Sequence, residues 1–445
     1  MRAIMVGAYG QGIQIGLQLL GVPIMVAQWG LANYGVWLAL YSLPAYLAMA
    51  DFGLTTAAAN DMAMSMTKGD KDSAHHVFQA LRLLVALVVG ALFCIAAAVI
   101  FWPSSTMLDF AQQATDGHAR AVTLILVVYG LVGLSNGTVN AGFRAVDRFA
   151  YGGTLYQTVF LIETSLLLGS IVLGATLFQA ATVMIVIRVG GSAFANWTLR
   201  RQFPEFARRQ GTIRMGVLRQ LMRPALGSMI LPFANATAMQ GPVLLITSML
   251  GAAAVPMYTT ARTLTRFPLQ LVMILSVATV TRFTVAHAAD SAQNKARLVL
   301  LNLLVTAALL VPATLGVILL GQWVILHWTR GAIHTDGVLL ALLAGTMLAN
   351  GCWTVLSNFL IALNLQERFA YYYAASAVLA LGLGRWLIPM LGIRGIGTAV
   401  LVADLLMLTL LISLVLRLGI LNRAAIGAEA QALWRRIRPA AQPVS

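Results

Sequence analysis

Residues 77–103 read VFQALRLLVALVVGALFCIAAAVIFWP, a run that carries one charge, Arg82. A helix that crosses the hydrocarbon of a bilayer needs about 20 predominantly apolar residues, and this run is longer. Its apolar residues are continuous rather than alternating, so it predicts a helical span and not a strand of a membrane barrel. Working outward, eleven further segments have the same character: 5–29, 33–58, 119–143, 153–175, 177–199, 225–250, 256–286, 297–321, 337–363, 369–391 and 395–417. Of the 445 residues, 60% are hydrophobic and only 10% charged, against roughly 25% charged in an ordinary soluble chain. So few charges could not cover the surface of a soluble protein of this size. Soluble enzymes, secreted disulfide scaffolds and disordered chains are excluded. The expectation is an all-α polytopic membrane protein with twelve transmembrane helices. The first segment follows a single Arg and has no small-residue cleavage site, so it reads as a retained helix and not a removable signal peptide.

The charge balance is strongly basic, +15 from 29 Lys+Arg and 14 Asp+Glu. In a soluble chain that would suggest nucleic acid; in a membrane protein the question is where the cations sit. With the amino terminus inside, 22 fall on the inner side and three on the outer side (Arg120, Arg330 and Arg394). Four lie within spans: Arg188, Arg262, Arg266 and Arg385. Basic residues accumulate on the cytoplasmic side, so both termini are expected in the cytoplasm and no nucleic-acid partner is needed. None of the three lysines, Lys68, Lys71 and Lys295, lies in a GxxxxGK[ST] pattern, so the chain carries no P-loop. Cys94 and Cys352 fall in apolar runs without disulfide or metal spacing, and the histidines are scattered apart from His75-His76. No metal, no cofactor and no catalytic residue is expected, and the chain does not read as an enzyme.

The stretch 200–224 carries seven arginines and divides the chain into two groups of six segments, 1–199 and 225–417. The tail, 418–445, includes Trp434-Arg435-Arg436 and reads as an interfacial cytoplasmic segment with aromatic and basic anchors, or as a partner-binding tail. The two groups echo each other. Asp147-Arg148-Phe149-Ala150-Tyr151 after the fourth segment matches Glu367-Arg368-Phe369-Ala370-Tyr371 after the tenth. Asp72-Ser73-Ala74 before the third matches Asp290-Ser291-Ala292 before the ninth. Tyr34 and Pro44 match Tyr258 and Pro268, and Gly21 matches Gly241. Six spans is an even number, so the two lobes enter the membrane in the same sense, as in parallel-repeat transporters. Two such lobes are expected to flank a cleft that works by alternating access.

An ionisable side chain at mid-bilayer costs about 2.5–3.5 kcal/mol on insertion scales, so each one needs a role. Arg188 reads either as a contact for an anionic substrate or as half of a structural ion pair with Glu163. Arg262 and Arg266, one turn apart, either face the cleft or snorkel to headgroups, and Arg385 has the same two readings. Asp404, Glu163 and Asp51 are the anions and the candidates for ion coupling. Their structural alternatives are pairing for Asp404 with Arg385, pairing for Glu163 with Arg188, and local backbone bonding for Asp51. The second lobe is the more cationic, which suits an anionic group, because the planar fork of arginine can give two bonds to a phosphate. In the first segment Gly7, Gln11, Gln14, Gln18 and Gly21 share one face. Its amides suit sugar hydroxyls, or else bond neighbouring helices. The corresponding stripe in the seventh segment is Ser228, Pro232, Asn235, Met239 and Pro242. Prolines at 23, 44, 232, 242, 268 and 312 predict bent helices.

Tyr34-Gly35-Val36-Trp37, Ala50-Asp51-Phe52-Gly53-Leu54, Asn60 and Gly69-Asp70 resemble the start of the Wzx-type lipid-linked oligosaccharide flippases, the polysaccharide transporters of the multidrug/oligosaccharidyl-lipid/polysaccharide exporter superfamily. Arg262, after Tyr258, also sits where such proteins often carry an arginine. The resemblance covers the whole chain in topology. It implies a V-shaped, two-lobed, MATE-like fold in a bacterial cytoplasmic (inner) membrane. The activity implied is transfer of an undecaprenyl-pyrophosphate-linked oligosaccharide from the cytoplasmic to the periplasmic leaflet, for O-antigen or other surface polysaccharide. Membrane lipid and the polysaccharide polymerase machinery would be its partners. On that reading Arg262, Arg266, Arg188 and Arg385 meet the pyrophosphate. Gln11, Gln14, Gln18 and Asn235 meet the sugars, and Asp404, Glu163 and Asp51 couple an ion. The lipid II flippases of the same superfamily usually have two more helices, which this chain lacks. The alternative is a cation-coupled, MATE-type exporter of drugs or other small molecules. A polymerase needs a larger external loop than 103–119 or 322–337 provides.

Overall fold

The computed structural model describes residues 2–48, 53–102, 108–207, 230–288, 292–363, 365–418, 427 and 431. Among them are thirteen α-helices and no strand. In chain order these are α1 Arg2–Ala48, α2 Leu54–Thr67, α3 Lys71–Ile100, α4 Ala119–Ala145, α5 Phe149–Val172, α6 Leu177–Gln202, α7 Pro204–Ala207, α8 Ile230–Leu250, α9 Val255–Ala288, α10 Ala292–Trp328, α11 Gly337–Ala362, α12 Gln366–Leu391 and α13 Ile393–Arg417.

Backbone conformation and side-chain caps set several of the helix ends. α1 is two helices joined at Gly30, whose φ of 74° and ψ of 170° are non-helical. That joint separates the first two predicted segments. The second of them does not run on to 58 as predicted. The helix ends at Ala48, and a separate helix, α2, opens at Leu54 behind Gly53. Gly53 has φ 71°, a left-handed conformation that costs glycine nothing. α2 is too polar to span, and it buries Leu54, Ala58, Ala59 and Met62. α3 begins well ahead of its apolar run because the Asp70 side chain accepts the Ser73 N–H at 2.9 Å. At α6 a capping box joins Thr176 and Gln179.

Among the described residues, ten helices are long and apolar enough to cross a membrane. The first of these stretches, Tyr9–Leu47, contains the Gly30 joint. α9 has 34 residues, and its TTARTLTR stretch, 259–266, places two arginines and four threonines on an otherwise largely apolar helix.

The chain forms two compact units, Met1–Met257 with Leu326–Ile333, and Tyr258–Ile325 with His334–Ser445. α8 thus packs within the first unit, against α1. In that unit α4 is the hub, touching α1, α2, α3, α5 and α6. Tyr34 and Trp37 are buried, and Gly35 lies so close to the turn before α9 that a Cβ there would stand 1.9 Å from the Ala252 carbonyl oxygen. In the second unit α13 packs against both α11 and α12. The succession α4, α5, α6 (27, 24 and 26 residues) has its counterpart in α11, α12, α13 (26, 26 and 25 residues).

Candidate functional site

Within the first unit, α4, α5 and α6 bring together a buried charge cluster. Glu163 and Arg188 are almost wholly enclosed, with side chains 0% and 6% exposed. Arg188 Nη2 donates to Glu163 Oε1 at 3.0 Å, and Arg188 Nε lies 2.9 Å from Glu163 Oε2. The Tyr129 hydroxyl donates to Glu163 Oε1 at 2.6 Å and itself accepts from Arg188. The guanidinium lies over the Tyr129 ring at 4.4 Å and near the Tyr156 ring at 5.9 Å. A cavity of about 20 Å³, too small for a substrate, lies against Arg188. Two buried opposite charges, bonded to each other and to a phenol, form a neutral strut that locks α4, α5 and α6 together. An aromatic row, Trp29, Trp37, Tyr41 and Tyr129, leads to it at centroid spacings of 5.3, 6.1 and 6.2 Å.

On α1 the predicted stripe is open. Gln11 and Gln14 are exposed and Gln18 is half-buried. None of the three has a hydrogen-bond partner among the described residues. Asn235 on α8 is half-buried and already has a partner. Asp51 and Ser228 lie outside the described residues, as do 208–229 and most of the tail.

Within the second unit, Asp404 on α13 accepts from Trp353 Nε1 at 2.9 Å and from Asn350 Nδ2 at 3.5 Å, both on α11. Trp353 packs on Tyr373 of α12 at 5.2 Å. Arg266 of α9 is within electrostatic reach of Asp404. Arg262, half-buried, sits over the Tyr258 ring at 5.3 Å. The Thr260 hydroxyl, on the same helix, is buried without a hydrogen-bond partner among the described residues. Arg385 does not pair with Asp404. It is exposed, beside a Trp386 that is 65% exposed, and has no partner among the described residues. Cys94 and Cys352 are free.

Sequence reading found the charges and missed the neutral groups that hold them: Tyr129, Tyr156, Trp353 and Asn350. The signal was present, since an indole, a phenol or an amide inside a span requires a partner. It also passed over the threonines of α9.

No protein-family model matches the chain, and no curated protein matches it significantly. Solved structures match along almost its whole length. An inward-facing multidrug-resistance transporter of the MATE family, in the MOP superfamily, superposes with a TM-score of 0.68 at 14% identity, covering 93% of this chain and 98% of the other. The MATE multidrug transporter DinF-BH gives 0.66 at 13% identity and 95% of each chain. A MOP superfamily transporter from Pyrococcus furiosus, whose reversed pocket polarity suggests a different function, gives 0.58 at 14% identity and 94% of each chain. This chain is therefore a multi-pass, all-helical membrane protein of MATE-like fold.

Proposed function

We propose that the protein is a membrane transporter that exports an anionic molecule by alternating access. It would reside in a bacterial cytoplasmic membrane, with twelve spans in two six-helix lobes and both termini inside. The observation that carries the reading is the cationic, hydroxyl-rich stretch of α9, Arg262 and Arg266 with the threonines between them. Glu163 and Arg188 neutralise each other. On the second unit, α9 carries Arg262, Arg266 and a run of threonines, and Asp404 lies within electrostatic reach of Arg266. Arginine forks and hydroxyls are donors suited to phosphate or carboxylate. Two of the structural neighbours are multidrug transporters, and MATE-type export of a small molecule fits this fold at least as well as lipid flipping. The Pyrococcus furiosus transporter supports the idea that one fold carries cargoes of different polarity.

The flippase is the second reading, favoured by the Tyr34–Trp37 and Asp51–Leu54 motifs and by the open amides of Gln11 and Gln14. There the arginines would meet a pyrophosphate and the amides a sugar. Asp404, within reach of Arg266, is the candidate for ion coupling in either case, and Arg188 and Glu163 are assigned to structure.

Two measurements test this. Purified protein in proteoliposomes should move an anionic dye, and Arg262→Ala should slow that movement at least about tenfold, the loss of one charge-assisted contact, at unchanged abundance. Transport of cationic dyes only, indifferent to Arg262→Ala, would overturn the anionic assignment. Lipid extracts from cells depleted of the protein separate the two cargoes. Accumulation of a polyprenyl-pyrophosphate oligosaccharide with loss of surface polymer supports the flippase. Intact polymer without accumulation leaves small-molecule export.

A further inference from the structure

A groove of about 420 Å³ opens within the first unit, on α4, with α3 and α6 as its walls. It is separate from the Glu163–Arg188 cluster and is not used by the transport reading. Two arginines line it, Arg82 from α3 and Arg200 from the last turn of α6, together with Ser135, Ser192 and Asn196. None of its lining residues is acidic. Arg200 Nε is buried and has no hydrogen-bond partner among the described residues. A guanidinium N–H removed from water and left unbonded is costly, and an anion in the groove would satisfy it. The nearest acidic residue in the chain beyond α6, Glu205, is engaged elsewhere, 3.9 Å from Lys71.

Apart from Thr138, the rest of the groove lining is apolar. Val85, Ala86, Val132 and Val189 continue it away from the arginines, and Ala86, Val189 and Ala193 are exposed at its mouth. On the adjoining face of α6 the Arg201 guanidinium lies over the Trp197 ring at 5.0 Å. An exposed Trp paired with Arg at the end of an apolar span marks the headgroup level of a bilayer. The groove thus has a cationic, hydroxyl-bearing end at headgroup depth and an apolar end at hydrocarbon depth.

We infer that this groove binds an anionic membrane lipid, with its phosphate between Arg82 and Arg200 and an acyl chain along Val85, Val132 and Val189. The site is one for a lipid of the surrounding leaflet and does not depend on what the protein transports.

The test uses the full-length protein in detergent, with lipid binding followed by native mass spectrometry and by the shift in thermal midpoint. Phosphatidylglycerol should bind and stabilise, and phosphatidylcholine with the same chains should do so much more weakly. The double variant Arg82→Gln/Arg200→Gln should weaken phosphatidylglycerol binding by roughly tenfold or more, as expected for two lost charge-assisted bonds. Arg201→Gln, outside the groove, should leave it unchanged. Should the double variant not fold, Ala193→Trp, which fills the exposed mouth and keeps both arginines, gives the same readout. Equal binding of the two lipids, or wild-type binding by both the double variant and Ala193→Trp, would overturn the site. Protection by inorganic phosphate equal to that of the lipid would overturn the lipid assignment and show a plain anion site. Transport can persist while this test fails, and can fail while it succeeds.

Discussion

Glu163 and Arg188 hold each other in a medium where neither charge would survive alone. Removing one partner strands the other, and the cost of a broken buried pair is about 3–5 kcal/mol. Arg188→Gln is therefore expected to lower the thermal midpoint sharply in detergent, whereas Glu163→Gln/Arg188→Gln, with both charges gone, should recover most of the loss. Equal effects of the single and double variants would show that the pair is not coupled. Gly35 makes a second residue-level case. A methyl group there would meet the Ala252 carbonyl oxygen at 1.9 Å, and backbone cannot rotate away as a side chain can. Gly35→Ala should cost about 1–3 kcal/mol by overpacking, read as a lowered midpoint with unchanged helix content. The motif Tyr34–Trp37 is thus a packing motif, with Tyr34 and Trp37 buried on either side of that contact.

Helices meet the loops through caps, and one cap is also a pH-sensitive tie. Asp336 caps α11 by accepting the Val338 N–H at 2.7 Å and pairs with Arg394, at the start of α13, at 2.5 Å. Slight burial works to raise its carboxyl, but the Arg394 hydrogen bond, the backbone donors and the Arg394 charge outweigh it and hold it below the usual range. A carboxyl lowered on folding stabilises the native state fully above its unfolded pKa of about 3.9 and loses that contribution as pH falls through the lowered value. Asp336→Ala should therefore cost about 1 kcal/mol at neutral pH, the worth of an N-cap, with little added by so exposed a pair. The difference from wild type should vanish in strong acid. A gap in midpoint that persists unchanged below that window would refute the assignment.

At the level of the whole molecule the arginine and lysine distribution makes a topological prediction. In a Cys94→Ala/Cys352→Ala background, Arg330→Cys should react with a membrane-impermeant maleimide in intact cells. Lys68→Cys, in the turn between α2 and α3, should react only after permeabilisation. Both positions are exposed. The reverse pattern would invert the orientation and place both termini outside. α11, α12 and α13 are close in length to α4, α5 and α6.

Membrane class and helical architecture were legible in residues 77–103 and their eleven counterparts, because a bilayer leaves the backbone only itself to bond with and so demands long apolar helices. Interruptions were less legible. Gly30 and Gly53 break helices through backbone conformation, and hydropathy is blind to φ. The fate of the intramembrane charges lay beyond a linear reading. Asp404 could be seen in the chain, but its bond to Trp353 joins residues on different helices. Likewise Arg188 admitted either substrate or Glu163 until α5 and α6 were seen side by side. Arg82 and Arg200 looked like unrelated inner-side cations, and they line one groove only because α3 and α6 both pack on α4. Composition depends on each residue separately and can be read in order, whereas pairing depends on which helix faces are brought together, and that is a property of packing.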